Sequence, residues 1–229
     1  KAHRDRAFEY EVARGKALKH RTIVEINLSA IKHNVGFYRS RLPKGVRILA
    51  MVKASSYGSG AEKVAPYLQH TGITDFGVAF ADEGVELRQS GITSSIVVMN
   101  PDPEHSDLII EHQLEPAIYS FEQLDEFITA LIYRKISAYP IHLKFDTGMH
   151  RLGFESDGID ALCGLLKNNN FVKVKSVFSH LSASDDLQFD DFTKLQFQRF
   201  DAMYSELEKV LPTKPIRHIL NTSGIFNYA

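Results

Sequence analysis

Cysteine and tryptophan are nearly missing from this sequence, since its 229 residues include one cysteine and no tryptophan. A single thiol, Cys163, excludes an internal disulfide and a metal site built from several cysteines. Cys163 lies among leucine and isoleucine residues, so we interpret it as a core residue and not as a nucleophile. Histidine and carboxylate residues show no convincing metal-ligand spacing, and we predict no metal.

An excess of either charge is also missing. The 27 basic residues are balanced by 28 acidic ones, which leaves a net charge of -1. Capture of nucleic acid or of an acidic membrane by overall charge is therefore not expected. No apolar run approaches the ~18 residues of a membrane span, and residues 1–21 lack the apolar core of a signal peptide. These patterns favour a cytoplasmic protein that contacts neither nucleic acid nor membrane.

Two parts of the chain differ in pattern. Residues 1–22 are charged and have almost no apolar periodicity, so we interpret them as a solvated linker. Residues 23–229 form the predicted domain, in which short β-branched runs alternate with helical patterns. The runs are Ile23–Ile26, Val46–Val52, Phe76–Ala79, Ile96–Met99, Pro116–Ile118, Ile141–Phe145, Val172–Phe178 and Ile216–Leu220.

The helical patterns carry start signals. Ser29 is predicted to cap the first helix, Ser120 and Gln123 form a capping box, and Asp190 and Asp191 open a long helix. Strands that alternate with helices predict a parallel sheet joined by helical crossovers.

Two α/β architectures share this alternation. A doubly wound sheet needs a glycine-rich phosphate loop after its first strand, and Ile26-Asn-Leu-Ser29 contains no glycine. We therefore predict a (β/α)8 TIM-type barrel that lacks its last strand. Its seven barrel strands begin with Val46–Val52.

Polar residues follow several predicted strands, at the ends where a parallel barrel places its active site. Lys53 ends the first barrel strand, where desolvation would lower the pKa of its amine and make it a nucleophile for a Schiff base. A rim lysine paired with a carboxylate is the alternative. Tyr57-Gly-Ser-Gly60 follows, and it is either a phosphate-binding turn or an ordinary one.

The segment Pro140–Phe154 concentrates ionisable residues. Strand alternation places His142, Lys144 and Asp146 on one face. Buried charges need partners, so Asp146 is a candidate to pair with a lysine. Arg151 follows in a glycine-flanked loop, and its planar guanidinium suits a carboxylate or a phenolate-like oxygen. A purely structural network of ion pairs is the alternative.

The last two predicted strands end in His180 and in Asn221-Thr222-Ser223. His180 is a candidate to stack on a flat cofactor or to tune its oxygen, and a hydrogen-bonded core histidine is the alternative. The small polar run suits phosphate contacts, or else a capping turn for a following helix.

Taken together, these stretches resemble the alanine racemases, which are pyridoxal-phosphate enzymes built on a (β/α)8 barrel. Val24–Asn34 is similar to the family's opening segment, Val52–Gly60 to its cofactor-lysine motif and His142–Gly153 to its central motif. The segments around His180 and Asn221–Ser223 fall in the expected order. The resemblance runs from Thr22 to the end of the chain.

The resemblance departs from the family pattern at three positions. Ser55 and Ser59 stand where other residues are commoner, and Thr222 stands where a serine is commoner. These departures are mild.

The resemblance implies a role for each matched residue. Lys53 would hold pyridoxal 5'-phosphate covalently and then act as a proton-transfer base. Tyr57 would bond the phosphate, with Asn221, Thr222 and Ser223 in the same region.

It also implies how the rest of the cofactor is held. Arg151 would bond the phenolic oxygen and help to hold the substrate carboxylate. Lys144 matches a position that is often carbamylated in the family, and a carbamate there would brace Arg151. His180 would buttress the ring.

At the level of the whole protein, the resemblance implies interconversion of L-alanine and D-alanine to supply peptidoglycan. It further implies a homodimer whose active site is shared between subunits, with a β-rich C-terminal domain.

A second resemblance concerns the N-terminal arm. Arg6-Ala-Phe-Glu-Tyr-Glu11 is similar to the closing segment of the Mur ligases that add D-alanyl-D-alanine to the muramoyl tripeptide. This resemblance implies that the chain is the racemase half of a bifunctional ligase and racemase.

Other proteins with this barrel remain alternatives. D-threonine aldolase and the amino-acid decarboxylases are enzymes of the same fold, but Asp146–Arg151 favours a racemase. From a different class, a non-catalytic pyridoxal-phosphate-binding homeostasis protein has a similar chain length. It lacks the pattern formed by Lys144 and Arg151.

The resemblance leads to a prediction about residues 1–229 by themselves. Racemisation needs a base on each face of the α carbon, and in the family the second base is a tyrosine from the C-terminal β domain of the partner subunit. We therefore expect the 229-residue piece to convert L-alanine no faster than its Lys53→Ala variant. Turnover well above that control would place both bases within these residues.

Overall fold

A computed structural model describes residues 24–229 of the chain. The predicted linker, residues 1–22, and its resemblance to a ligase lie outside the described residues. Seven strands form one curled parallel sheet, and each strand pairs with its neighbours in sequence. The strands are β1 (Leu49–Met51), β2 (Asp75–Val78), β3 (Ser95–Val98), β4 (Glu115–Ile118), β5 (Tyr139–Lys144), β6 (Val172–Phe178) and β7 (Ile216–His218).

Nine α-helical segments accompany these strands in the described part of the chain. One of them, Lys53–Gly58, is a short turn in which Ala54–Tyr57 have left-handed φ angles. The other eight are right-handed α-helices. They are α1 (Leu28–Arg41), α2 (Ala61–His70), α3 (Ala81–Gln89), α4 (Ser106–Glu111), α5 (Phe121–Tyr133), α6 (Ile159–Leu166), α7 (Asp190–Glu208) and α8 (Thr222–Tyr228). The predicted barrel with seven parallel strands is thus confirmed. Between residues 24 and 229, no helix has the length and apolarity that a membrane crossing requires.

The core lies between the strands and the surrounding helices. Strands β2 and β4 are buried at every position, as expected of parallel strands covered on both faces. Phe76, Ile96, Ile118 and Ile141 have almost no exposed surface. Each buried side chain of this size stabilises the fold by about 1.5–3 kcal/mol, so this interior holds the strand ends in place.

Two predictions near the start of the domain are wrong. The β-branched run Ile23–Ile26 predicts a strand, but Val24–Ile26 form none. Val24 is 76% exposed. The first helix is capped by Asn27 instead of Ser29, since the Asn27 side chain accepts a hydrogen bond from the N–H of Ala30. Asparagine is as good an N-cap as serine, and it comes first.

The sheet contains a buried polar cluster that was not predicted from the sequence. Glu115, at the start of β4, accepts hydrogen bonds from Nε2 of His142 at 2.7 Å and from Nζ of Lys175 at 2.7 and 2.9 Å. Ser95 donates to the same carboxylate at 2.7 Å. Burial by itself would raise the pKa of Glu115, but these hydrogen bonds outweigh burial and lower its pKa to about 2. This cluster therefore stabilises the fold only while Glu115 is ionised.

Replacement of Glu115 should reveal that contribution. The pKa of Glu115 is lower in the folded chain than its ordinary 4.5, so its stabilisation is complete above that value and is lost as the pH falls through about 2. Because Glu115→Gln leaves Lys175 and His142 without their anionic partner, we expect about 2–3 kcal/mol less free energy of unfolding at pH 7.

Denaturant unfolding over a series of pH values provides the measurement. The difference between wild type and Glu115→Gln should shrink as the pH falls below 4.5. Glu126→Gln, at an exposed position of α5, is the matched control and should change little. Equal stability of Glu115→Gln and wild type at pH 7 would contradict the prediction.

Candidate active site

The carboxyl ends of β1, β5, β6 and β7 carry the residues that the sequence singles out. Because the strands are parallel, these ends meet at one edge of the sheet. Lys53 follows β1, Lys144 is the last residue of β5, and His180 follows β6 by two positions. Arg151 lies in the loop after β5, and Asn221–Ser223 begin after β7.

Lys53 opens a turn of unusual backbone conformation. The four residues Ala54–Tyr57 have φ angles of 49–56°, which places each of them in the left-handed region although none is glycine. Such residues cost about 1–2 kcal/mol each, and strain of this kind is concentrated at functional sites. The sequence predicts an ordinary turn or a phosphate-binding turn here, and nothing in it indicates four left-handed residues.

Backbone hydrogen bonds close the turn. The N–H of Ser56 donates to the carbonyl of Val52 at 2.9 Å, and the N–H of Gly60 donates to the carbonyl of Ser55 at 2.9 Å. Lys53 is half-buried, whereas the side chain of Tyr57 is 67% exposed. The turn therefore presents the phenol of Tyr57 to the surface beside Lys53.

Lys144 is buried at the end of β5, with 8% of its surface exposed. Burial lowers the pKa of its amine, and the positive charges of Arg151 and Lys53 lower that pKa further. The carboxylate of Asp146 acts in the opposite direction. The Lys144 amine is therefore neutral more often than the amine of an exposed lysine at the same pH.

The charges of Arg151 and Lys53, which act on Lys144, also act on His180. Burial lowers the pKa of its ring, followed by the charges of Arg151, Lys144 and Lys53. These four side chains thus lie close enough to interact electrostatically, and the fold brings together residues from three strand ends. Repulsion among them favours a neutral imidazole at His180.

Asp146 shapes the loop that carries Arg151. Its Oδ1 accepts hydrogen bonds from the backbone N–H groups of Gly148 at 2.8 Å and His150 at 3.1 Å. From the sequence, Asp146 is a candidate to pair with a lysine. Its charge does act on Lys144, but its hydrogen bonds go to the backbone.

Asp146, His150 and Glu155 form a group that could hold a metal ion, which the sequence spacing did not suggest. Their ligand atoms lie within 4.8 Å of one another. His150 and Glu155 are exposed, and exposed groups of this kind are common without an ion.

Asn221 caps α8 and ties it to the loop after β6. Its Oδ1 accepts from the N–H of Gly224 at 2.8 Å and from the hydroxyl of Ser184 at 2.7 Å, and its Nδ2 donates to the carbonyl of Leu181 at 3.2 Å. Thr222 is exposed and Ser223 is half-buried in the first turn of the helix. For Asn221, the structure shows the capping turn that the sequence allowed.

Two residues that contact the candidate site were not predicted from the sequence. Glu83 accepts a hydrogen bond from the N–H of Ala54, the residue directly after Lys53, at 2.6 Å. Gln196 of α7 is fully buried and donates to the carbonyl of His180 at 3.0 Å and to the hydroxyl of Thr147 at 3.2 Å. An acidic residue at the third position of a helix signals a cap, but nothing in the sequence shows that either side chain reaches another strand end.

A comparison with protein families identifies one family model that covers most of the chain. A family model described as "Alanine racemase, N-terminal domain" matches residues 26–229 of this chain. The chain belongs to the alanine racemase family.

Individual alanine racemases are similar along most of the chain. The alanine racemase of Citrifermentans bemidjiense is 36% identical over 211 residues, which cover 89% of this chain and 55% of that protein. The alanine racemase of Helicobacter pylori strain P12 is 33% identical over 222 residues, which cover 92% of this chain and 56% of that protein. The chain therefore spans about half the length of the relatives that it matches.

Solved alanine racemases share the fold. The structure from Bacillus anthracis with bound L-Ala-P has a TM-score of 0.83 and 28% identity, and the match covers 93% of this chain and 55% of that one. The structure from Corynebacterium glutamicum has a TM-score of 0.80 and 26% identity, over 89% of this chain and 57% of that one.

Proposed function

We propose that this protein is a pyridoxal-phosphate-dependent alanine racemase that interconverts L-alanine and D-alanine. One observation carries the proposal: in a member of this family, Lys53, Lys144, Arg151 and His180 lie within electrostatic reach of one another at the carboxyl edge of the sheet. The aldolase, decarboxylase and binding-protein alternatives have no comparable support.

The residues of the site suit an anionic cofactor. Besides burial, positively charged groups among the described residues lower the pKa values of Lys144 and His180. Within residues 24–229, Asp146 is the one negative group that raises the pKa of Lys144. A phosphate and a phenolic oxygen would relieve that repulsion. In the turn after Lys53, the hydroxyl of Ser56 is buried and has no hydrogen-bond partner in the described part of the chain. Pyridoxal phosphate supplies the electron sink that stabilises a carbanion at the α carbon.

Lys53 has two tasks in this proposal. Its amine would hold the cofactor covalently. When the substrate amine takes its place, the released Lys53 amine would hold or move the proton at the α carbon on its own face of the substrate. The hydroxyl of Tyr57 would donate a hydrogen bond to the phosphate, with Thr222 or Ser223 assisting. Asn221 sets the position of these two residues by capping α8.

Arg151 and Lys144 act together on the other end of the cofactor. The planar guanidinium of Arg151 would bond the phenolic oxygen and help to hold the substrate carboxylate. The lowered pKa of Lys144 favours the neutral amine, which is the form that adds carbon dioxide to give a carbamate and a proton. We propose that this carbamate replaces a repelling cation by an anion and so braces Arg151.

His180 would pack against the ring of the cofactor. Its lowered pKa keeps the imidazole neutral at physiological pH, and a neutral flat ring can stack without adding charge. Gln196 donates to the carbonyl of His180 and so holds this residue at the end of β6.

Arg151→Lys tests the role of the guanidinium. The variant keeps the charge but loses the planar fork, so we expect turnover to fall at least about tenfold while the fold stays intact. Racemisation rates of the full-length protein and circular dichroism of both forms supply the measurement. Arg134→Lys, an exposed arginine paired with Asp107, is the matched control. Unchanged kinetics in Arg151→Lys would make Arg151 a structural residue only.

A direct assay tests the proposed reaction. Full-length protein loaded with pyridoxal phosphate should convert L-alanine into D-alanine and the reverse. A protein that binds the cofactor at Lys53 but racemises no amino acid would instead match the binding-protein alternative.

We also propose a wider context for the reaction. The product D-alanine serves peptidoglycan synthesis, the protein is a homodimer that shares its active sites, and residues 1–22 end a D-alanyl-D-alanine-adding ligase. The similarity of Arg6–Glu11 to such a ligase supports the last point. Reading the coding sequence upstream of Lys1 tests the fusion, and sedimentation of the full-length protein tests the dimer.

A further inference from the structure

Glu83, on the first turn of α3, joins the ends of two strands through its carboxylate. We propose that Glu83 is a positioning residue that sets the direction of Lys53 and thereby the reaction of Lys53 with the cofactor. This inference rests on the function proposed above, because it assigns a support to the same site.

The two carboxylate oxygens divide their contacts between the strand ends. Oε1 accepts from the N–H of Ala54 at 2.6 Å, in the turn after β1. Oε2 accepts from the N–H of Ala79 at 2.6 Å and from that of Phe80 at 3.3 Å, directly after β2. Hydrogen bonds to an ionised acceptor are shorter and about twice as strong as neutral ones. Glu83 therefore links the backbone next to Lys53 to a neighbouring strand.

The contact with Ala54 matters because of the backbone conformation there. Ala54 is the first of four consecutive left-handed residues, with φ of 49°. A strained turn persists only where its surroundings impose it. Lys53 immediately precedes this turn, so a shift of Ala54 would change the Cα–Cβ direction of Lys53 relative to Lys144 and His180.

Both oxygens are needed for this link. In Glu83→Gln one of them becomes an NH2 group, which donates and cannot accept from a backbone N–H. The variant has almost the same shape, but it leaves either Ala54 or the pair Ala79 and Phe80 without an acceptor. Glu83→Asp keeps both oxygens on a shorter side chain and serves as a milder variant where Glu83→Gln folds poorly.

Hydrogen exchange of the full-length protein without cofactor tests the link itself. We expect the amide of Ala54 and the turn through Gly60 to exchange at least about tenfold faster in Glu83→Gln than in wild type, because a lost charged hydrogen bond has this magnitude. Glu86→Gln, one turn further along α3 and exposed, is the matched control. Equal exchange in wild type and Glu83→Gln would overturn the inference.

Covalent labelling tests the consequence for Lys53. Wild type, Glu83→Gln, Glu83→Asp and Glu86→Gln are titrated with pyridoxal phosphate, reduced with borohydride and mapped by peptide mass spectrometry. We expect Glu83→Gln to need at least about tenfold more cofactor for half-maximal labelling of Lys53, with Glu83→Asp between it and wild type.

The outcomes separate this inference from the proposed function. A wild-type protein without label at Lys53 would overturn the function, and the inference with it. Normal labelling of wild type together with unchanged labelling of Glu83→Gln would overturn the inference alone. Thermal unfolding of each variant identifies a purely structural role, because lowered stability with unchanged labelling of Lys53 also contradicts positioning.

Discussion

Lys53→Ala is expected to abolish both the covalent attachment of pyridoxal phosphate and racemisation by the full-length protein. The substitution removes the amine that holds the cofactor and the base that acts on one face of the α carbon. Since a placed general base contributes about 10²–10⁴-fold to rate, and the anchor is lost with it, turnover should fall at least about a thousandfold. Lys53 is half-buried at a strand end, so the fold should remain intact.

Borohydride labelling and a racemisation assay measure this effect together. In wild type the reduced label should map to Lys53, and Lys53→Ala should carry none. Lys63→Ala, an exposed lysine on α2, is the control and should keep both label and activity. A label on Lys144 or on another lysine would overturn the assignment of Lys53.

Gly153→Ala is expected to destabilise the fold by about 4 kcal/mol or more, near the upper end of single substitutions. Gly153 has φ of 143°, and a Cβ built on it would lie 2.3 Å from the backbone nitrogen of Asp146 and 2.5 Å from the carbonyl carbon of Phe145. Backbone atoms cannot yield as a flexible side chain can. The loop that carries Arg151 would therefore separate from β5.

The neighbouring hydrogen bonds explain why this loop lies so close. The N–H of Asp146 donates to the carbonyl of Phe154, and the N–H of Phe154 donates to the carbonyl of Lys144, both at 2.9 Å. Denaturant unfolding provides the measurement. Gly164→Ala in α6 is the matched control, since a Cβ there meets nothing within 4 Å, and it should stabilise the helix by about 0.5–1 kcal/mol. A loss of less than ~1 kcal/mol in Gly153→Ala would show that the loop can move without cost.

Much of the site could be predicted from sequence because its residues follow strands. A β-branched run ends at Lys53, and similar runs lead into His180 and Asn221. Parallel strands bring such ends together whatever their exact register. The interactions within the site could not be predicted in this way, since the pKa of Lys144 depends on how far it is buried and how near Arg151 lies.

Local sequence patterns were sufficient to predict the order of the seven barrel strands and the type of most elements. Strand β6 coincides with the predicted run Val172–Phe178, and the strand order follows the chain from β1 to β7. Periodicity and β-branched composition are local properties, and short crossovers place consecutive parallel strands side by side. The helix that begins at Asp190 was predicted from the same local signals.

Which side chains meet depends on the tertiary structure. The left-handed turn at Ala54–Tyr57 is local, but nothing in its sequence indicated its conformation. The link from Glu83 to Ala54, the buried cluster around Glu115 and the contacts of Gln196 join segments that are distant in sequence. Each depends on the curvature of the sheet and on the distance between neighbouring strand ends, which no local pattern encodes. Hydrogen bonds and desolvation act over a few ångströms, so they respond to the folded geometry and not to spacing along the chain.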